Sequence, residues 1–121
     1  MHSFYVRKII QKLTAHGRSL AGGKVVILGV TFKPNVRDYR NSRVKHLIAE
    51  LKEYGLEVLV VDPFVEPAVI EKEFQAKAIT LEQLSAADLV LLAVNHHSFK
   101  EAVAQLQRQK EQLFMDITFS S

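Results

Sequence analysis

Residues 24–42 read KVVILGVTFKPNVRDYRNS, and the first six of them, Lys24 to Gly29, form an apolar run with no polar alternation. Such a run is the mark of a strand buried on both faces, as in a parallel sheet. A charged loop follows from Val30 to Asn41. From Ser42 to Tyr54, Val44, Leu47, Ile48 and Leu51 then fall on one helical face, with Ser42 as N-cap and Gly55 as the stop. Strand, loop and helix make one unit, and the rest of the chain repeats it. Glu57 to Val61 (EVLVV) is a second buried strand, ended by Asp62-Pro63 because proline cannot continue a central ladder. Glu66 to Phe74 reads as a short helix, Lys77 to Thr80 as a short third strand and Leu81 to Ala86 as another short helix. Asp88 to Val94 is a strongly apolar fourth strand, Ser98 to Arg108 is helical and Gln112 to Ile117 is a fifth strand. Upstream, Phe4, Val6, Ile9, Ile10 and Leu13 give Met1 to His16 the spacing of an amphipathic helix that needs a partner surface, with Gly17 placed to end it. The expected architecture is α/β: a Rossmann-like, doubly wound parallel sheet of about five strands in a three-layer sandwich. Its strand order is 3-2-1-4-5, and an N-terminal linker helix precedes it.

At 121 residues, with 48% hydrophobic and 24% charged, the chain has the size and balance of one globular domain. No apolar run approaches the ~20 residues that cross a bilayer, and no secretory signal is recognisable, so a soluble cytoplasmic protein without membrane contact is expected. The absence of cysteine excludes disulfides, thiolate metal sites and a cysteine nucleophile within these residues. The net charge of +3 conceals an asymmetry: residues 1–45 hold ten Lys/Arg against one acid, and residues 46–121 hold six against twelve. A basic segment beside an acidic one is compatible with nucleic-acid binding, a small anionic ligand or a solvated surface. Few aromatics in the basic stretch, no RNA-binding signature and no recognition-helix pattern speak against nucleic acid.

In open parallel sheets ligands bind beyond the carboxyl ends of the strands where strand order reverses, which selects the loops after strands one and four. The first loop is far longer than the connection of about 2 to 6 residues that geometry requires, and long charged loops on rigid scaffolds are where binding sits. A dinucleotide fingerprint would need three glycines here, and only Gly29 is present. Lys33, Arg37, Arg40 and Arg43 instead offer side-chain cations near the positive end of the next helix, a different design for holding a diphosphate. The bland alternative is that some of these cations pair with Asp38 or face water. Asp62 stands where a Rossmann acid holds a ribose, although a turn-forming Asp-Pro is the simpler reading. His96 and His97 follow strand four at the mouth of the crevice, where they either touch ligand or serve as cap and surface residues; two adjacent histidines alone make a poor metal site. His2, His16 and His46 read as surface residues.

The segment GVTFKPNVRDYRNS (29–42), followed by a helix and EVLVVDP (57–63), resembles the C-terminal UDP-binding domain of the UDP-glucose/GDP-mannose dehydrogenase family. Gly29, Phe32, Lys33, Asp38, Arg40 and Ser42 fall on that family's pattern, and the resemblance covers nearly the whole chain. The Arg40-Asn41-Ser42-Arg43 form, with EYGLEVLVVDP (53–63), is more similar to the UDP-N-acetylhexosamine (galactosamine, glucosamine or mannosamine) 6-dehydrogenases than to the UDP-glucose enzymes. The resemblance implies a UDP-sugar oxidised twice at C6 to a uronic acid by two NAD, as a precursor of surface polysaccharide. It implies a cysteine nucleophile and an NAD site on central and N-terminal domains absent from these residues. Residues 1–21 would be the linker helix from the central domain and 22–121 the UDP-sugar-binding domain, of an enzyme that forms a homodimer. The isolated chain would be inactive. Phe32, Lys33 and Arg40 are the expected UDP contacts, with Arg37, Asp38, Ser42, Arg43 and His96 as further candidates; no residue here takes a catalytic, cofactor-binding or metal-binding role. Two departures stand out: Arg37-Asp38 replaces paired acids, and Asp116-Ile117-Thr118 lacks the cation of the family's final turn. The alternative is a non-catalytic nucleotide-binding or interaction domain of the same fold. An autonomous NAD-binding domain is disfavoured by the missing glycines.

Overall fold

The computed structural model describes residues 2–40, 42–109 and 111–118; Met1, at the expected start of the first helix, and Asn41, at the end of the expected loop, lie outside them, as does the side chain of His2. The elements in chain order are α1 (His2–Ala15), β1 (Lys24–Leu28), α2 (Val44–Glu53), β2 (Glu57–Val61), α3 (Pro67–Val69), β3 (Lys77–Ala78), β4 (Leu89–Leu92), α4 (Lys100–Arg108) and β5 (Leu113–Asp116). The five strands form one sheet in the order β3-β2-β1-β4-β5, every pair parallel, as the alternation of strands and helices predicts.

Side chains on successive strand residues point to opposite faces, and the apolar runs therefore feed two cores. Val25 and Ile27 of β1, Val58 and Val60 of β2, and Leu89 and Leu91 of β4 face a core shared with α1 and α2. Val26, Leu28, Leu59, Val61, Val90 and Leu92 face a second core closed by Phe99, Leu106 of α4 and Leu84. This is the three-layer sandwich the continuous apolar runs imply.

Several elements differ from their sequence-based extents for identifiable reasons. β1 stops at Leu28 because Gly29 turns to a φ of +94°. β4 runs from Leu89, and Asp88 before it still donates its N–H to the Lys24 carbonyl at 2.8 Å, while its carboxylate accepts the Lys24 backbone N–H at 2.8 Å and the Arg18 guanidinium at 3.1 Å. β3 is cut to two residues because Thr80 leaves the ladder to cap the 3₁₀ turn Leu81–Ala86 in a reciprocal box with Gln83. The single helix expected over Glu66–Phe74 is three α-helical residues followed by a wider π turn, Ile70–Phe74, which buries both of its end residues.

The surface that α1 needs, which the sequence did not reveal, is supplied within these residues. Val6, Ile9 and Leu13 are buried in the first core beside Leu47, Ile48 and Leu51 of α2. Gly17 ends α1 as expected: with φ +71° it lets the Arg18 N–H reach the Leu13 carbonyl at 2.9 Å. At the start of α2, Arg43 already has helical dihedrals and Ser42 acts as the cap, its Oγ accepting the Val44 N–H at 3.2 Å. Ser42→Ala is expected to lower stability by about 1 kcal/mol, measured by urea denaturation; an unchanged midpoint would show that solvent caps the helix equally well.

Candidate functional site

β1 and β4 lie side by side and their continuations diverge to opposite layers, so the crevice of the sheet opens beyond Leu28 and Leu92. Gly29 sits at the floor of this crevice. A Cβ there would lie 2.6 Å from Val94 Cβ and 2.7 Å from the Val94 carbonyl oxygen, so this glycine serves the close approach of two chain segments rather than the cradling of a phosphate.

The loop beyond Gly29 is closed on itself. The Phe32 N–H donates to the Asp38 carbonyl at 2.6 Å, and the Thr31 hydroxyl donates to the Lys33 carbonyl at 2.8 Å. It is also tied to the other strand ends. Asp62 Oδ2 accepts the Val30 N–H at 2.7 Å and its Oδ1 accepts the Phe64 N–H at 2.9 Å. His96 Nε2 lies 3.1 Å from Asp62 Oδ2 and 3.2 Å from Thr31 Oγ1, while its Nδ1 accepts the Asn35 N–H at 2.9 Å. Asn35 takes a left-handed φ of 61° and its side-chain oxygen accepts the His97 N–H at 2.8 Å.

Around this scaffold the expected site residues divide into groups. Phe32, Lys33, Ser42 and Arg43 come together with Thr31, Pro34, Val44, Ala93 and Val94 to line one cleft of about 180 Å³ at the N-terminus of α2. That is below the ~300–1,000 Å³ of pockets that enclose a whole drug-sized ligand; it suits phosphate groups. Phe32 is half exposed, and the Lys33 ammonium lies 5.9 Å from the centre of its ring. Arg37 faces elsewhere, on a larger cavity of about 540 Å³ beyond β2 and β3 that Pro63, Phe64, Ile79 and Glu82 also line. Arg40 is turned onto Asp38, Nε to Oδ1 at 3.1 Å, with its side chain 81% exposed. The hydrogen bond from the Arg40 side chain, joined by the Arg40 backbone N–H, holds the Asp38 carboxyl below its ordinary range, and the Arg40 pKa is raised in return. With the folded pKa lowered, the pair's contribution is present at neutral pH and is lost only as the pH falls through that lowered value; exposure and salt keep it small.

His96 takes the capping position before the 3₁₀ turn His97–Phe99, its carbonyl accepting the Phe99 N–H at 3.0 Å, but it departs from the surface and ligand-contact expectations. It is neither a surface residue nor placed to touch a ligand: its exposure is 0%, its ring is flanked by Phe64 and Phe99, and both ring nitrogens are engaged. An imidazole at a strand end looks the same in sequence whether it faces solvent or the core. His16 and His46 are exposed, as expected. Nothing in the sequence marks Thr31, whereas asparagine's tolerance of left-handed backbone is a signal for position 35. Asp62 does make the expected Asx turn to Phe64. Its other oxygen serves Val30 and His96, so the carboxylate is committed and is not presented to a ribose in the adjoining cavity. Among the described residues, one glycine committed to strand packing and one committed acid do not form a dinucleotide cradle.

Residues 26–119 match the family described as "UDP-glucose/GDP-mannose dehydrogenase family, UDP binding domain". The chain belongs to this family. Protein CapL of Staphylococcus aureus is 39% identical over 101 residues, 84% of this chain and 24% of that protein. The UDP-N-acetyl-D-glucosamine 6-dehydrogenase of Salmonella typhi is 31% identical over 101 residues, again 84% of this chain and 24% of that protein. The structure of a UDP-D-ManNAc dehydrogenase from Pyrococcus horikoshii superposes with a TM-score of 0.69 at 18% identity, covering 96% of this chain and 30% of that one, a likeness of fold. This chain thus spans about a quarter of the length of the curated relatives it matches. Among the described residues no helix is long and apolar enough to cross a membrane.

Proposed function

We propose that this chain binds the UDP moiety of a nucleotide sugar, as the C-terminal domain of an NAD-dependent UDP-N-acetylhexosamine 6-dehydrogenase that makes a UDP-uronic acid for surface polysaccharide. The observation that carries the reading is the cleft at the switch point, where Phe32, Lys33, Ser42 and Arg43 meet the N-terminus of a ten-residue helix inside the family-matched region. Helix N-termini and cationic side chains together favour a diphosphate. Lys33, Arg43 and Ser42 hold the phosphates, Phe32 packs against the nucleotide, and Arg40, Arg37 and Asp38 contribute at the rim. The thiol nucleophile that the two-step oxidation demands is not among these residues, which contain no cysteine. It belongs with the NAD site on other domains of a cytoplasmic homodimer, reached through residues 1–21.

Isothermal calorimetry on this chain with UDP, a UDP-N-acetylhexosamine and NAD tests the reading. UDP and the nucleotide sugar are expected to bind and NAD is not. A charge-assisted hydrogen bond contributes roughly 1.5–3 kcal/mol, so Lys33→Ala is expected to weaken UDP by roughly 10- to 100-fold. Arg40→Ala weakens it less, because that cation already has Asp38 as a partner. Tight NAD binding with no response to UDP, or dissociation constants unchanged in both variants, would sink it.

A further inference from the structure

Lys33 is exposed and contributes nothing to either core, yet it lies between two residues anchored to the same buried ring. Two positions before it, the Thr31 hydroxyl gives its proton to the Lys33 carbonyl, so toward His96 Nε2 it can only accept. Two positions after it, the Asn35 N–H donates to His96 Nδ1, so that nitrogen carries a lone pair. Both bonds together assign the neutral Nε2–H tautomer, with its proton shared between Thr31 Oγ1 and Asp62 Oδ2. Asp62 in turn receives the Val30 N–H, at the start of the same loop.

We propose that His96 is a positioning residue for UDP: its Nε2–H tautomer couples Asp62 at the end of β2 to the amide of Asn35 and so holds residues 31–35 in the shape that presents Lys33 to the cleft. The inference rests on the UDP reading above and adds to it a residue that touches no ligand. A loop held in its bound shape before the ligand arrives loses less freedom on binding, so weakening the hold raises the dissociation constant without removing any contact.

Two isosteric replacements separate the nitrogens. In His96→Gln the side-chain amide places a donor near the position of Nε2 and leaves nothing at Nδ1; in His96→Asn the side-chain oxygen replaces Nδ1 and the Nε2 donor is lost. Hydrogen exchange of the Asn35 amide, without ligand, and UDP affinity by calorimetry are compared across wild type and both variants. His96→Gln is expected to speed exchange at Asn35 by at least tenfold and to weaken UDP by roughly tenfold, while His96→Asn, which keeps the acceptor for the Asn35 N–H but cuts the link to Asp62, is expected to restore exchange at Asn35 only in part and to weaken UDP several-fold. Because a buried substitution can unfold the domain, Asn35→Gly provides a second handle: it suits the left-handed φ, keeps the amide bond to His96, removes only the acceptor of the His97 N–H, and is expected to weaken UDP several-fold. Nitrogen shifts of the wild-type imidazole should show Nδ1 bare and Nε2 protonated. Equal UDP affinity in wild type, His96→Gln and Asn35→Gly, or a proton on Nδ1, overturns the positioning role even where UDP binds. Failure of the wild type to bind UDP overturns the underlying function instead, and exchange at Asn35 then still reports whether the ring holds the loop.

Discussion

Asp62→Ala is expected to lower the unfolding free energy by about 3–5 kcal/mol, enough to threaten a domain whose total stability is of the order of 5–15 kcal/mol. The Asp62 side chain is fully buried and its two oxygens receive the backbone N–H groups of Val30 and Phe64 and the ring of His96. Alanine leaves the Val30 and Phe64 N–H groups without their acceptor and His96 Nε2–H with Thr31 Oγ1 alone, and an unsatisfied buried polar group costs about 1–3 kcal/mol. Asp62→Asn is expected to lose about half as much, since its carbonyl oxygen can still accept one backbone N–H while its amide faces another donor. Urea denaturation of the three proteins measures the order. An alanine variant within about 1 kcal/mol of wild type would mean that water enters and replaces the carboxylate.

Gly29→Ala is expected to cost about 3 kcal/mol or more from two additive sources. The φ of +94° is one that L side chains rarely adopt, and the added Cβ would press on Val94 Cβ and, at 2.7 Å, on the Val94 carbonyl oxygen. Trimming the neighbour tests whether any of the cost lies in the Val94 side chain beyond its Cβ. Val94→Ala in the Gly29→Ala background leaves a Cβ in place and does not move the carbonyl, so rescue is expected to be slight; the double-mutant cycle reads this directly. Full rescue would show that only side-chain crowding matters. Since Gly29 joins β1 to the loop proposed to hold UDP, the surviving folded protein is also expected to bind UDP more weakly than wild type.

The family pattern on Gly29, Phe32, Lys33, Asp38, Arg40 and Ser42 was readable residue by residue, because each occupies a fixed place in one continuous segment. How those side chains group was not. Arg40 and Asp38 stand two residues apart and satisfy each other, and Arg37 faces the neighbouring cavity, whereas Arg43, later in the chain, lines the same cleft as Lys33. Sequence spacing in a long loop says little about direction, since each residue's φ and ψ redirect all that follow; the left-handed turn at Asn35 is one such redirection.

The order of elements, the parallel five-stranded sheet and the position of the crevice followed from the chain by itself. Continuous apolar runs can be buried only between two layers, and right-handed crossovers leave few ways to connect them. The pairing of Asp62 with His96 across 34 residues, the burial of that imidazole and the seat of α1 on α2 came only with the tertiary structure. Those are encounters between segments distant in sequence, and hydrogen bonds and close packing are decided by distances of a few tenths of an ångström that no local periodicity encodes.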